Sequence, residues 1–127
     1  MEKIQTGERT KAEVEDELST LLHALRTLRR RRVVRLLNRD VTEDCISTRW
    51  LARQIAGSEN SVSPVLATSQ QYKNVYNALS QTHLPTLNDA NIIVYDLQRQ
   101  EVCSGPVLGL AILLLNLTEP AIETFYT

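Results

Sequence analysis

Between Thr68 and Cys103 the apolar residues change period once, and that change leaves few folds open. Tyr72, Val75, Tyr76 and Leu79 recur at helical spacing behind a Thr68 or Ser69 cap, which predicts a helix over 68–83. Pro85 suits the first turn of a further short helix, 84–90, that buries Leu84, Leu87 and Ala90. Asn91 tolerates the left-handed conformation at a helix end, so it can redirect the chain into Ile92, Ile93, Val94 and Tyr95. That run is β-branched and aromatic, hence a strand. Residues 96–100 read as a polar tip and Glu101, Val102 and Cys103 as a short return strand, closed by Gly105 and Pro106, so the pair predicts a small hairpin.

Upstream, Val14, Leu18, Leu21, Leu22, Leu25 and Leu28 mark an amphipathic helix over 13–26, with Glu13, Glu15, Asp16 and Glu17 at its dipole-favoured end. The stripe then changes phase to Val33, Leu36 and Leu37, predicting a second helix over 28–39 with Thr27 as N-cap. Residues 40–46 read as a connector. Ser47 or Thr48 caps a third helix with Leu51, Ala52, Ile55 and Ala56 inside, ended by Gly57, and 58–67 is a loop too polar to form an element. A C-terminal helix over 106–118 is apolar on nearly every side and must be covered on every side. So small a chain has little core left for that, which predicts packing on a second copy.

The expected fold is therefore mainly α with a small β-hairpin: a winged helix-turn-helix with an extra N-terminal helix and a C-terminal dimerisation helix. It divides into a flexible N-terminus over 1–12, a domain over 13–104, and a C-terminal apolar helix and tail over 105–127. Leu18, Leu22, Leu108, Ile112 and Leu115 are the expected dimer interface.

With 127 residues the chain has room for one core. No basic-then-apolar leader is visible, and the longest apolar run, 107–115, is about half of what a membrane span needs, so the expected setting is cytoplasmic with no membrane partner. Cys45 and Cys103 lie far apart with no CxxC pair and no histidine at metal spacing, so they are expected to be core or strand thiols in a reducing compartment, with no metal. No nucleophile with its base, ligand set or phosphate loop appears, so no catalytic residue, enzyme activity or cofactor is expected, and His23 and His83 are read as structural.

The net charge of −1 hides an asymmetry, with balances of −3 over 1–25, +6 over 26–40 and −4 over 41–127. Half the positive charge sits in Arg26, Arg29, Arg30, Arg31, Arg32, Arg35 and Arg39. These arginines can clamp phosphates or equally pair with the acids at 13–17 or with Asp40 as a structural network, and a run of four surrounds a helix, so only some of them can face one phosphate backbone.

The segment Lys73-x-Val75-Tyr76-x-x-Leu79-x-Gln81-Thr82-His83-Leu84-Pro85-x-Leu87-x-Asp89-Ala90, leading to Ile92 and Tyr95-Asp96, resembles a largely uncharacterised winged helix family widespread in halophilic archaea. Arg29 to Arg32, Val34 and Leu37 resemble that family's first core helix, and Leu51, Ala52 and Ile55 its second. The resemblance covers about 18–103 and implies a fold and a role in transcription, with no known operator or small-molecule ligand. The chain differs from it in offering only Lys73 as a base on the third helix, and Asn91 where glycine is common.

Asn and Gln bond bidentately to adenine in the major groove, and Lys to guanine. Gln70, Lys73, Asn74, Asn77 and Gln81 therefore form the expected DNA-reading face. Arg99 at the hairpin tip and Arg30 among the arginines are expected at the backbone or minor groove. The expectation is a homodimeric, sequence-specific regulator bound to double-stranded DNA; the alternative is a winged-helix protein-interaction module that does not touch DNA.

Overall fold

The computed structural model describes residues 8–39 and 43–127. Helix α1, Lys11–Ala24, starts where the Thr10 hydroxyl accepts from the Glu13 amide at 3.1 Å. The expected flexible segment 1–12 thus runs into α1, and 1–7 lie outside the described residues. Helix α2, Leu28–Arg39, begins at Thr27 as expected, its hydroxyl accepting from the Arg30 amide. Of the expected connector, 40–42 lie outside the described residues, and Cys45–Ser47 is a strand, β1. Three residues carry no readable alternation, so this strand is an addition to the expected fold.

Ser47 caps helix α3, Thr48–Glu59, by accepting from the Trp50 amide. Gly57 does not end that helix. Its place is steric: a Cβ there would sit 2.8 Å from the Val62 carbonyl oxygen, which folds back onto the helix end. The loop that follows holds a single 3₁₀ turn, Pro64–Leu66.

Thr68 and Gln71 form a capping box at the start of α4, Ser69–Ala78. The chain then passes through a π-helical turn, Leu79–His83, directly into α5, Leu84–Asp89. The Leu84 amide bonds the Leu79 carbonyl five residues back. Pro85 has no amide to give and its ring presses on the preceding turn, so the wider π turn accommodates it without breaking the rod.

Asn91 stands at φ 60°, the left-handed turn expected of it. Strands β2, Ile93–Asp96, and β3, Glu101–Ser104, form the hairpin, and β1 adds to the other side of β3, giving a three-stranded antiparallel sheet in the order β1-β3-β2. The register pairs Cys45 with Cys103 and Val94 with Cys103, so Cys45, Ser47, Val94, Asp96, Glu101 and Cys103 share one face while Ile46, Ile93 and Val102 share the other. Ile93 and Val102 are buried in the core; Val94, on the opposite face, is half exposed.

Cys45 and Cys103 are joined by a disulfide across that register, with Cα atoms 4.0 Å apart. The expectation of two free thiols is corrected here. Residues 58 positions apart become neighbours only through the β1–β3 pairing, and that pairing has no local sequence signal.

The last helix, α6, runs Leu108–Phe125, longer than expected. Pro120 lies inside it and deprives the Asn116 carbonyl of its helical partner. The core joins Val33, Val34 and Leu37 of α2, Leu51 and Ile55 of α3, Val75 and Leu79 above them, Leu84 and Leu87 of α5, and Ile92, Ile93 and Val102 of the hairpin. This is one contiguous cluster, and α6 adds Leu108, Ala111 and Leu115 to it.

Candidate nucleic-acid interface

Helix α4 is pinned by its inner face. Val75 is buried, Tyr72 and Tyr76 are half-buried, and the Tyr76 hydroxyl donates to the Gln100 side chain at the hairpin turn. This bond couples α4 to the hairpin. The outer face presents Gln70, Lys73, Asn74, Asn77 and Gln81 together and exposed, as their spacing predicts. Gln70 Nε2 donates to Asn74 Oδ1 at 2.8 Å, which orients two of the amides before any ligand arrives.

The N-terminal half of α3 brings two cations to the same end of α4. Arg53 stacks its guanidinium 4.6 Å from the Tyr72 ring centroid, and Arg49, one turn before it, lines a shallow hollow with Trp50, Arg53 and Tyr72. Neither was among the expected site residues. The i, i+4 spacing of the two arginines opposite the Leu51 and Ile55 stripe was the available signal. Among the described residues, Arg49, Arg53 and Lys73 have no ion-pair partner.

Arg99 sits at the hairpin turn, largely exposed, 3.9 Å from Asp96. The Asp96 carboxylate also accepts from the Arg99 amide, and Gln100 closes the turn at φ 55°. The tip is therefore shaped by its own residues, with the arginine side chain projecting.

The arginine cluster of α2 is arranged otherwise. Arg30, expected at a phosphate, is only 4% exposed. Its Nη1 donates to the His23 carbonyl at 3.1 Å and its Nε to His83 Nδ1 at 3.2 Å, locking α1 and the π turn onto α2. Arg30 shares a stripe with Val33, Val34 and Leu37, so its inward direction follows from helical phase. Arg29 makes a bidentate pair with Glu59 at 2.6 and 2.8 Å, and Arg31 bonds the Leu25 carbonyl at 2.8 Å. Arg35 reaches the Asn116 side chain and lies 3.3 Å from Glu119 on α6. Much of the cluster is thus spent holding helices together.

Two titrations follow from this network. Glu59 is held below its ordinary 4.5 by the hydrogen bonds from Arg29, against a smaller opposing effect of burial. His83 is pushed below its ordinary 6.5 by burial, then by the positive charges of Arg30 and Arg29. Both folded values are depressed, so for both the unfolded chain binds protons more readily, and both contributions are full above the unfolded pKa and lost on acidification. Urea midpoints should hold above pH 6.5, fall first as His83 is forced to protonate, and fall again below 4.5 as the Arg29–Glu59 pair is neutralised. Glu59→Gln should remove the second fall and cost about 1 kcal/mol at pH 7, the scale of a well-oriented, partly exposed pair.

The expected dimer residues separate in the same way. Leu108 and Leu115 are already buried against their own chain, because 108, 111 and 115 form the inward stripe of α6. Ile112 is half-buried, and Leu18 and Leu22 are exposed. The outward stripe of α6 is instead Leu110, Leu113 and Leu117, all exposed.

The family described as "Domain of unknown function (DUF7344)" matches residues 22–103. No curated protein and no solved structure matches the chain.

Proposed function

The chain belongs to that family over residues 22–103, and we propose that it is a winged helix-turn-helix protein that binds double-stranded DNA as a homodimer and regulates transcription in the cytoplasm. The carrying observation is the exposed amide face of α4 flanked by Arg49, Arg53 and Lys73, which have no ion-pair partner among the described residues, with the α4 rod bonded to an arginine-tipped hairpin. A helix with polar amides enters the major groove and reads base edges, cations beside it hold phosphates, and a projecting hairpin reaches the next stretch of backbone or minor groove. The connectivity supports this reading: α2, β1, α3, then α4 running through the π turn into α5, and a hairpin whose return strand closes onto β1.

Dimerisation is read from two apolar stripes that the chain's own core does not use: Val14, Leu18 and Leu22 on α1, and Leu110, Leu113 and Leu117 on α6. Most of α1 and all of α6 lie outside the matched 22–103. By length and composition α6 is also apolar enough to cross a membrane, with a mean hydropathy of 1.3 over its 18 residues. A second copy is favoured because Arg35 bonds the Asn116 side chain and pairs with Glu119, anchoring α6 to the domain, while the exposed Glu123 would have to enter lipid. Light scattering should give a dimer for the full chain and a monomer or aggregate for one ending at Pro106; an unchanged dimer, or flotation of the full chain with lipid vesicles, would contradict this assignment.

Fluorescence anisotropy with mixed-sequence duplexes at stepped salt tests DNA binding. Retention that weakens linearly with log salt, and one duplex bound above the rest, is the expected result. The competing reading is a protein-interaction module, favoured by the −4 balance over 41–127; it predicts that no duplex is bound above the random level.

A further inference from the structure

The outer face of the sheet holds a second potential site. Cys45 and Cys103 face each other across β1 and β3, and Glu101, two residues before Cys103, stands on the same side. The ligand atoms of these three residues lie within 4.8 Å of one another. All three are half-buried, and a cleft lined by Cys45, Glu101, Glu43, Ser47 and Trp50, with Arg39 as its one cation among the described residues, opens beside them. The backbone bonds Ser104 N to Asp44 O and Thr48 N to Gln100 O lie at either end of the β1–β3 ladder. Counting inward, Cys45 and Cys103 fall at a non-hydrogen-bonded pair, where side chains approach closest.

We propose that the reduced chain binds a soft divalent cation of the Zn²⁺ class through the Cys45 and Cys103 thiolates and the Glu101 carboxylate, so that cation and disulfide are alternative states of one site. Two sulfurs on adjacent strands are already held side by side by the register, so the cation requires little backbone rearrangement. Two thiolates and one carboxylate are the donor set that suits Zn²⁺, with a fourth position left to water from the cleft. Asp96, on the same face and opposite Glu101, adds negative charge nearby. Reduction transfers two electrons and two protons to the cystine as a dithiol reductant becomes its own disulfide. The cation then displaces the two thiol protons, so binding releases two protons and weakens at low pH. This inference does not depend on DNA binding.

The test uses the full chain, reduced with a phosphine, and Co²⁺ as a spectroscopic probe displaced by Zn²⁺. The expected result is a thiolate-to-Co²⁺ band saturating at one equivalent, together with quenching of Trp50, the chain's one tryptophan, which lines the adjoining cleft. The oxidised chain should show neither. Cys45→Ser/Cys103→Ser should lose the band. Glu101→Gln should keep a thiolate band yet bind at least about tenfold more weakly, since even an outer-shell partner is worth that much. Far-UV circular dichroism checks each form, and Zn²⁺ should raise the thermal midpoint of the reduced chain alone. A reduced chain that takes up no more Co²⁺ than the double serine variant overturns the proposal, as does an unchanged affinity in Glu101→Gln or a reduced chain whose midpoint Zn²⁺ leaves unmoved.

Discussion

Replacing Cys45 and Cys103 by serine, measured in a buffer with chelator, is expected to lower stability by about 4 kcal/mol, the chain-entropy value for a loop of this length. The disulfide closes 58 residues that include all of α3, α4 and α5, so without it the unfolded chain regains the freedom of most of the domain. In thermal unfolding the midpoint should fall by about 10–15 °C. Reduction of the wild-type chain in the same buffer should reproduce the loss. A fall under about 1 kcal/mol would mean that the β1–β3 pairing already fixes these ends in the unfolded ensemble, or that the bond does not form.

The second large effect concerns the face of α4. Asn74→Ala and Asn77→Ala should each cost about 10- to 100-fold in preference for the best duplex over random sequence, the worth of one bidentate base contact. Both side chains are exposed and outside the core, so unfolding midpoints should stay within about 0.5 kcal/mol of wild type. Arg49→Ala and Arg53→Ala act differently. Each should weaken all sequences alike and reduce the salt slope by about 1. Arg30→Ala makes the contrast: it should destabilise the fold by leaving His83 and the His23 carbonyl without their donor, while the salt slope of the folded protein stays unchanged.

Arg30 and Arg49 differ in what the sequence alone makes legible. Every long helix was legible, because apolar spacing and capping residues such as Thr27, Ser47 and Thr68 act locally. Asn91 was legible for the same reason, since a left-handed residue between helix and strand is a local requirement. Arg30 was readable in principle: its spacing from Val33, Val34 and Leu37 puts it on the buried stripe, although an arginine within a basic run is equally the pattern of a phosphate contact. For α6 the apolar content was clear, whereas dividing it into an inward stripe of 108, 111 and 115 and an outward one of 110, 113 and 117 needed the partner helix. β1 and its disulfide were not legible. Both depend on three residues finding a strand more than fifty positions away, and no local pattern carries that information.

A dimer that presents α4 to the major groove should read DNA sequence. Selection of bound fragments from a random duplex pool, followed by sequencing, tests it most directly. The expected result is enrichment of a two-fold site whose half-sites lie one helical turn or a multiple of it apart, lost when the pool is selected with Lys73→Ala/Asn74→Ala. No enrichment over the starting pool, or the same enriched site with that variant, would contradict it.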